Sequence, residues 1–437
     1  MKSEGIPIAK MLEDWRVGGS LSFNWRGVGP KTPGFETQIQ HEVFLADIYF
    51  DAHGPVIKGV PFRMEFNMPT SGQGALRLHR FYFEYERIRR WEFRLGKFLV
   101  PFGRYNELYR PDMFLTITRP LLYASPDSLD LVVRINSPRP PFSSGYTDIG
   151  ARASYYPPKQ SDTVPSEMTL FVVNGLGENR NRLRTFPTPE NLGITPPSDA
   201  GVTIDFDNSN NNLADNNNNK AVGGRVVFAL GDLDQPLPIA ESHPDFTGLH
   251  LGFSGMGGQY NLESQLNYRM FGIDAEFEYR GINVTSEYMY SRTQFQAPRV
   301  TAPGGSTLVS PTQLRTDFEE IYGYFVQATV PLWKKPRWGK RVRGILVFNR
   351  LSRRGPELTL LQNVTIGANT FDSIAAFDFA KGRFTTHINK FTCALNWQMT
   401  QHFATKLEYS YWAMGKASTF SPTTDINQSA MSIVMAF

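Results

Sequence analysis

Fixed charge is the chemistry that this sequence concentrates in one place. Between residues 98 and 147 it sets Arg104, Arg110, Arg119, Arg134 and Arg139 beside Glu107, Asp112, Asp127 and Asp130, with Tyr105, Tyr109, Tyr123 and many apolar residues between them. Such a set makes and breaks no covalent bonds. Inside a narrow, low-dielectric passage, however, each fixed charge acts strongly on a passing solute. The rest of the chain adds no reaction chemistry. Its seven histidines are scattered, with no pair at metal-ligand spacing, no HExxH and no GxSxG nucleophile elbow. The glycines from Gly252 to Gly258 lack the strand, helix and acidic residue of a nucleotide site, and bulges or close strand approach account for them better. No catalytic residue, metal ligand or cofactor is assigned.

The charged segment opens out of a strand. Trp91, Phe93 and Leu95 alternate with Glu92, Arg94 and Gly96 until Pro101 breaks the pattern. A connection this long with no evident helix is uncommon in a compact domain and is usually functional. Its mixture of charged, aromatic and aliphatic residues suits a segment that is not simply solvated. The reading is a loop folded back into the lumen of a β-barrel. There Arg104, Glu107, Arg110, Asp112, Arg119 and Arg134 face the wall arginines Arg63, Arg94 and Arg152 and set the width and charge of a pore. The competing reading is that these charges pair with one another and pin the loop.

The composition fits a barrel wall. The chain has 437 residues, 41% hydrophobic and 13% aromatic, with one cysteine and a net charge of +4. No run approaches the roughly eighteen uninterrupted apolar residues of a membrane helix, which excludes a helical membrane protein. The 33 Phe, 18 Tyr and 7 Trp fall mostly at alternate positions. Transmembrane barrels have this profile, because every second residue faces lipid while its neighbours face a polar lumen. The net charge is too mild to imply a nucleic-acid partner, and Cys393 alone permits no internal disulfide. The opening MKSEGIPIAKMLEDW holds no apolar export core, and residues 1–14 read as an N-terminal periplasmic segment.

The alternation is clearest at the start. Val17, Gly19, Leu21, Phe23 and Trp25 alternate with Arg16, Gly18, Ser20, Ser22, Asn24 and Arg26, a period of two. Trp15 and Trp25 lie on the same face, roughly 33 Å apart along a strand. With a barrel's tilt that projects to roughly 25 Å, the height of an outer-membrane apolar band between its aromatic girdles. About sixteen such segments follow one another, ending in Ser429 to Phe437. Long connections after odd-numbered strands (98–147, 175–221, 292–320, 352–386 and 413–428) alternate with short turns near Arg89, Gly281 and Gln401, as an up-and-down barrel with periplasmic termini requires. The Pro-rich 231–248 connection breaks that rule. The segment DFDNSNNNLADNNNNK at 205–220 is too polar to pack and reads as a mobile outer loop tip. The ending MSIVMAF places Met431, Ile433, Met435 and the terminal Phe437 on one face, similar to the signal by which outer-membrane barrels are recognised for assembly.

Five pieces, in order along the chain, resemble the phosphate-selective porin O and P family: GKFLVPFGRYNEL (Gly96 to Leu108), FVVNGLG (Phe171 to Gly177), Gly223-Gly224-Arg225, FGIDAEFEYRGINVTSEYMYS (Phe271 to Ser291) and ALNWQM (Ala394 to Met399). The resemblance covers most of the chain after about residue 40 and implies a sixteen-stranded, commonly trimeric outer-membrane channel with loops folded inward. The family's dense arginine ladder and lysine cluster do not map onto this chain. Inward positions are mixed: Arg16, Arg26, Arg63, Arg94, Arg152, Arg225, Arg343, Lys390 and Lys406 against Glu65, Glu84, Asp148, Asp274, Glu276, Glu278, Glu287 and Glu408. Fold transfers better than selectivity.

The expectation is therefore an all-β, single-domain, up-and-down transmembrane barrel in the bacterial outer membrane. It is expected to contact outer-membrane lipids and to pass small polar or anionic solutes, with homotrimerisation implied by the resemblance. Two smaller features have competing explanations. Asp274, Glu276 and Glu278 form either a cation-attracting stripe or carboxylates bridged to arginines of neighbouring strands, the second being favoured. KKPRWGKR (Lys334 to Arg341) is either a turn resting on lipid phosphates or a solvated one. The rival functions are a structural barrel whose lumen or long outer loops hold a partner protein, and a soluble β-sandwich that binds carbohydrate.

Overall fold

The computed structural model describes residues 15–28, 41–57, 60–69, 77–110, 114–123, 138, 140–142, 145–158, 165–179, 203–205, 220–231, 248–260, 266–279, 281–301, 308–333, 341–366, 369–400, 402–414 and 426–437. The first wall runs through β1 (Arg16–Val28), β2 (His41–Ile57), β3 (Val60–Pro69), β4 (Arg77–Tyr85), β5 (Trp91–Leu99), β6 (Thr147–Tyr155) and β7 (Glu167–Val173). A small hairpin, β8 (Gly177–Asn179) with β9 (Thr203–Asp205), interrupts it. The wall resumes with β10 (Ala221–Gly231), β11 (Gly248–Gln259), β12 (Asn267–Tyr279), β13 (Ile282–Thr301), β14 (Leu308–Trp333), β15 (Arg341–Ile366), β16 (Asn369–Thr400), β17 (Phe403–Met414) and β18 (Ile426–Ala436). All but β8 and β9 join in one closed antiparallel barrel, which makes sixteen wall strands as expected.

Closure follows from the alternation in β1 and β18. Ser20 pairs with Ala436 and Leu21 with Met435, so polar Ser20 and Ser22 are buried inside while Val17, 77% exposed, and Phe23 stand outside. Phe437 completes the seam: its N–H donates to the Gly19 carbonyl and its carbonyl accepts from the Gly19 N–H, both at 2.9 Å. The outer face carries large apolar side chains on every part of the wall, including Leu170, Phe271, Leu346, Phe391 and Met435, as a lipid-facing band requires.

Two expected outer loops are corrected. The described residues of 292–320 and 352–386 are not irregular. β13 pairs with β14 out to Thr301↔Leu308, and β15 pairs with β16 out to Ile366↔Asn369, so the antiparallel ladder runs on through both segments. Lipid-facing alternation identifies crossings and is silent about paired strands above them. The 352–386 sequence is rich in Thr, Val, Ile, Leu and Phe, residues that favour extended pairing. The expectations for residues 1–14, the Asn-rich 205–220 tip beyond Asp205, the 231–248 connection and the KKPRWGKR turn between Trp333 and Arg341 lie outside the described residues.

Candidate functional site

β5 ends at Leu99 and β6 begins at Thr147. The described part of the chain between them turns into the lumen. Its base is clamped by Asn106, whose side-chain amide donates to the carbonyls of Val100 (2.8 Å) and Tyr146 (3.1 Å) and accepts from the Tyr146 N–H (2.6 Å). The two ends of the loop are thereby held side by side. Sequence reading missed this residue, an uncharged Asn between the charged Arg104 and Glu107 that held the attention.

Asn106 belongs to one helical turn, α1 (Arg104–Glu107), where no helix was expected, and four strands hold it. Arg104 pairs with Glu276 on β12. The Tyr105 N–H donates to Glu287 on β13 at 3.2 Å. Glu107 lies between Arg225 of β10 (3.1 Å) and Arg152 of β6 (3.4 Å). Arg225 in turn grips Asp274 of β12 with both terminal nitrogens, at 2.5 and 2.9 Å, and Arg152 also reaches Glu167 at 3.0 Å. The Tyr123 hydroxyl donates to Glu287 as well. Burial pushes the Tyr105 and Tyr123 phenols well above their ordinary pKa, so the proton that Tyr123 donates stays on it.

The far end of the loop is tied to the opposite wall. Glu408 of β17 accepts from the N–H groups of Ile117 (2.6 Å) and Thr118 (3.0 Å) and from the Thr118 hydroxyl. Lys390 of β16 donates to the Arg119 carbonyl at 3.2 Å, Asn396 to the Leu115 carbonyl at 3.1 Å, and the Leu121 N–H donates to Asn349 of β15 at 3.2 Å. Between the two ends the apolar residues form the main buried cluster: Phe102, Tyr109, Phe114, Leu122 and Phe142 of the loop pack with inward residues such as Phe171, Met270, Met289, Phe325 and Trp412. Inward-facing apolar residues on so many strands are what a loop that crosses the lumen needs, and a solvated wall would lack them.

Among the expected site residues, Arg104, Glu107, Arg110, Arg94 and Arg152 are ion-paired. Arg110 meets Asp51 of β2 at 3.7 Å, and Arg94 meets Glu84 at 2.6 Å and Glu92 at 2.7 Å. Arg119 lies over the Tyr109 ring at 5.3 Å. Arg63, half-buried opposite the inward Tyr82, shares the inner face of β3 with Glu65 and has no carboxylate pair among the described residues. Asp112 and Arg134 lie outside the described residues. The acidic stripe is bridged only in part, and not as expected. Asp274 pairs across the intervening strand β11 rather than with an adjacent one, Glu276 pairs with the loop, and Glu278 has no ion pair among the described residues.

That reach across β11 depends on Gly252. A Cβ there would collide with the Asp274 carboxylate and stand 2.7 Å from an Arg225 nitrogen, so close strand approach, one of the two explanations offered for this glycine run, holds at Gly252. Gly252→Ala is expected to destabilise the barrel by about 1–3 kcal/mol through overpacking, read as a lower temperature at which the compact gel form is lost. Gly255→Ala, on the same strand but with its nearest foreign atom at 3.9 Å, is expected to be nearly neutral.

No family model matches this chain, and no curated protein matches it. Solved structures do. Pseudomonas putida OprB, in its high-pH structure, is similar at a TM-score of 0.50 and 7% identity over 98% of this chain and 96% of that one. An anion-selective porin from Comamonas acidovorans gives 0.48 and 11% over 97% and 99%, and the outer membrane channel DcaP of Acinetobacter baumannii 0.48 and 10% over 97% of each. At such identities the shared feature is the fold. A closed sixteen-stranded antiparallel barrel with an apolar outer face is a bacterial outer-membrane protein of porin-like architecture.

Proposed function

We propose that the protein is an outer-membrane porin through which small hydrophilic solutes and ions diffuse passively, with a mild preference for anions. One observation carries this reading: a loop that enters a closed barrel and is fastened to opposite walls, which is how a wide lumen is narrowed to a selective passage. The narrowing is assigned to Arg104, Glu107, Arg110, Asp112, Arg119, Arg134, Arg63, Arg94 and Arg152. Ion pairs absorb most of these charges and make the loop rigid, so selectivity falls to the cations they leave over. Arg63 supports the anion preference on that ground. Phosphate selectivity and a homotrimer rest on the sequence resemblance alone and are the finer forms of the same proposal.

The test is single-channel conductance of the purified protein in planar bilayers, with the reversal potential measured across a salt gradient and phosphate added afterwards. Discrete steps with a reversal potential displaced toward anions are expected. Arg63→Glu is expected to move that potential toward cations with little change in stability; an unmoved potential would remove Arg63 from the passage.

A second reading, a barrel that holds a partner, is favoured by a specific feature. Inward-facing Ser20, Ser22, Gln428 and Ser432 on β1 and β18 are buried, although among the described residues the apolar cluster includes none from those strands. Well-folded barrels without conductance, together with a co-purifying protein, would establish it instead.

A further inference from the structure

The lipid-facing side of the wall carries a charge pattern that the channel reading does not use. On β12 and β13, Arg269 and Arg292 are direct cross-strand partners. Both are exposed, while their chain neighbours Tyr268, Met270, Ser291 and Thr293 are buried toward the lumen. Like charges directly opposite on one face of a sheet destabilise it. The same row continues through Glu320 on β14 to Arg354 on β15. Glu320 is claimed from the far side by Arg383 at 3.2 Å and Arg354 at 4.0 Å, and the Tyr290 hydroxyl of β13 donates to it at 3.0 Å. Arg292 lies over the Phe318 ring at 3.7 Å. Arg269 has Gly257 beside it on β11, Asn267 above and Phe271 below, so none of its cross-strand or same-face neighbours is a carboxylate.

The height of this row identifies what neutralises it. One step toward the membrane centre lie Phe271, Tyr290 and Tyr322, and one step further Tyr288 and Tyr324, an aromatic girdle of the kind that sits at the headgroup layer. β12 and β13 are joined at their other end by the short turn at Gly281, so this is the long-loop, extracellular rim. A basic row immediately outside an aromatic girdle faces lipid headgroups, and anionic headgroups attract each such residue.

We propose that Arg269 and Arg292, with Arg354 at the edge of the same row, form a binding site for the phosphate of a phosphorylated glycolipid in the outer leaflet. A guanidinium pair takes phosphate oxygens in the planar geometry that Arg favours, the lipid's chains lie along the Phe271 and Tyr290 face, and the like-charge repulsion is relieved by the ligand.

The experiment is a native mass-spectrometric titration of the full-length protein in neutral detergent. The probes are the diphosphorylated glycolipid anchor of lipopolysaccharide, the same lipid after enzymatic dephosphorylation, and inorganic phosphate as a competitor. Binding of the phosphorylated lipid at least about tenfold tighter than the dephosphorylated one is expected, with a comparable loss in the Arg269→Gln/Arg292→Gln double variant and near-retention in the double Lys variant. Equal binding of the two lipids to the unmodified protein would overturn the site without requiring any variant to fold. So would an unchanged affinity in the Gln variant. Full displacement of the lipid by an equal concentration of inorganic phosphate would overturn the lipid as the occupant.

Discussion

Removing Tyr105 to Ile135 is expected to raise single-channel conductance roughly threefold or more, because conduction is limited by the narrowest cross-section of a pore and the described residues of this segment reach from one wall to the other. The path of the loop makes the effect large. It leaves the β5–β6 edge, is held at α1 by Glu276, Glu287, Arg152 and Arg225, and arrives at Glu408, Asn396 and Asn349 on the opposite wall. A loop lying along one side would leave most of the bore open and its loss would change little. The deletion also strips Glu287 and Glu408 of their loop donors and exposes the inward apolar residues to water. The shortened barrel is therefore expected to lose its compact gel form at a lower temperature while keeping its strand content by circular dichroism. A folded deletion variant with unchanged conductance would sink the assignment of this loop as the constriction. An intact protein that conducts nothing, beside a deletion variant that conducts, would make the same loop a plug.

The sequence made the wall legible and the interior only partly so, for a physical reason. A strand that separates lipid from a polar lumen must alternate, so the period of two locates crossings directly, and the inward parity assigned to Arg225, Asp274, Glu287, Lys390 and Glu408 matches their burial. The partner of each inward charge is set by curvature, by side-chain length and by what the strand between them carries. Arg225 and Asp274 meet only because Gly252 leaves a gap on β11, and no local pattern announces that. Polar residues without charge were overlooked altogether: Asn106, Asn349, Asn396 and Thr118 hold the loop alongside the arginines. Inward Met270, Met289, Phe325 and Trp412 were the missed sign that the lumen holds an apolar cluster. In a solvated pore these positions would be polar, so apolar residues of inward parity on several strands point to something packed against them.

Arg225 is where the wall and the loop share one group, and its loss is expected to be the costliest single substitution among the described interior residues. Its guanidinium is buried, holds Asp274 bidentately, meets Glu107 at 3.1 Å and donates to the Ser254 hydroxyl at 3.0 Å; that same oxygen accepts from the Gly103 N–H at 3.1 Å. Arg225→Ala leaves Asp274 charged, buried and unpaired, and removing one partner of a buried pair costs about 3–5 kcal/mol. Glu107 keeps Arg152 as a partner, so α1 is loosened rather than released. The expected signature is a marked fall in the temperature at which the barrel opens, together with a noisier conductance as the loop explores positions away from β10. The paired change Arg225→Met with Asp274→Leu removes both charges and keeps the volume, and by the same reasoning restores most of the stability. It does not restore a quiet channel, because Glu107 still lacks its second anchor. Stability and noise that recover together in the double variant would mean that Arg225 serves the wall alone, and the coupling between barrel and loop would have to be sought at Glu287 or Glu408.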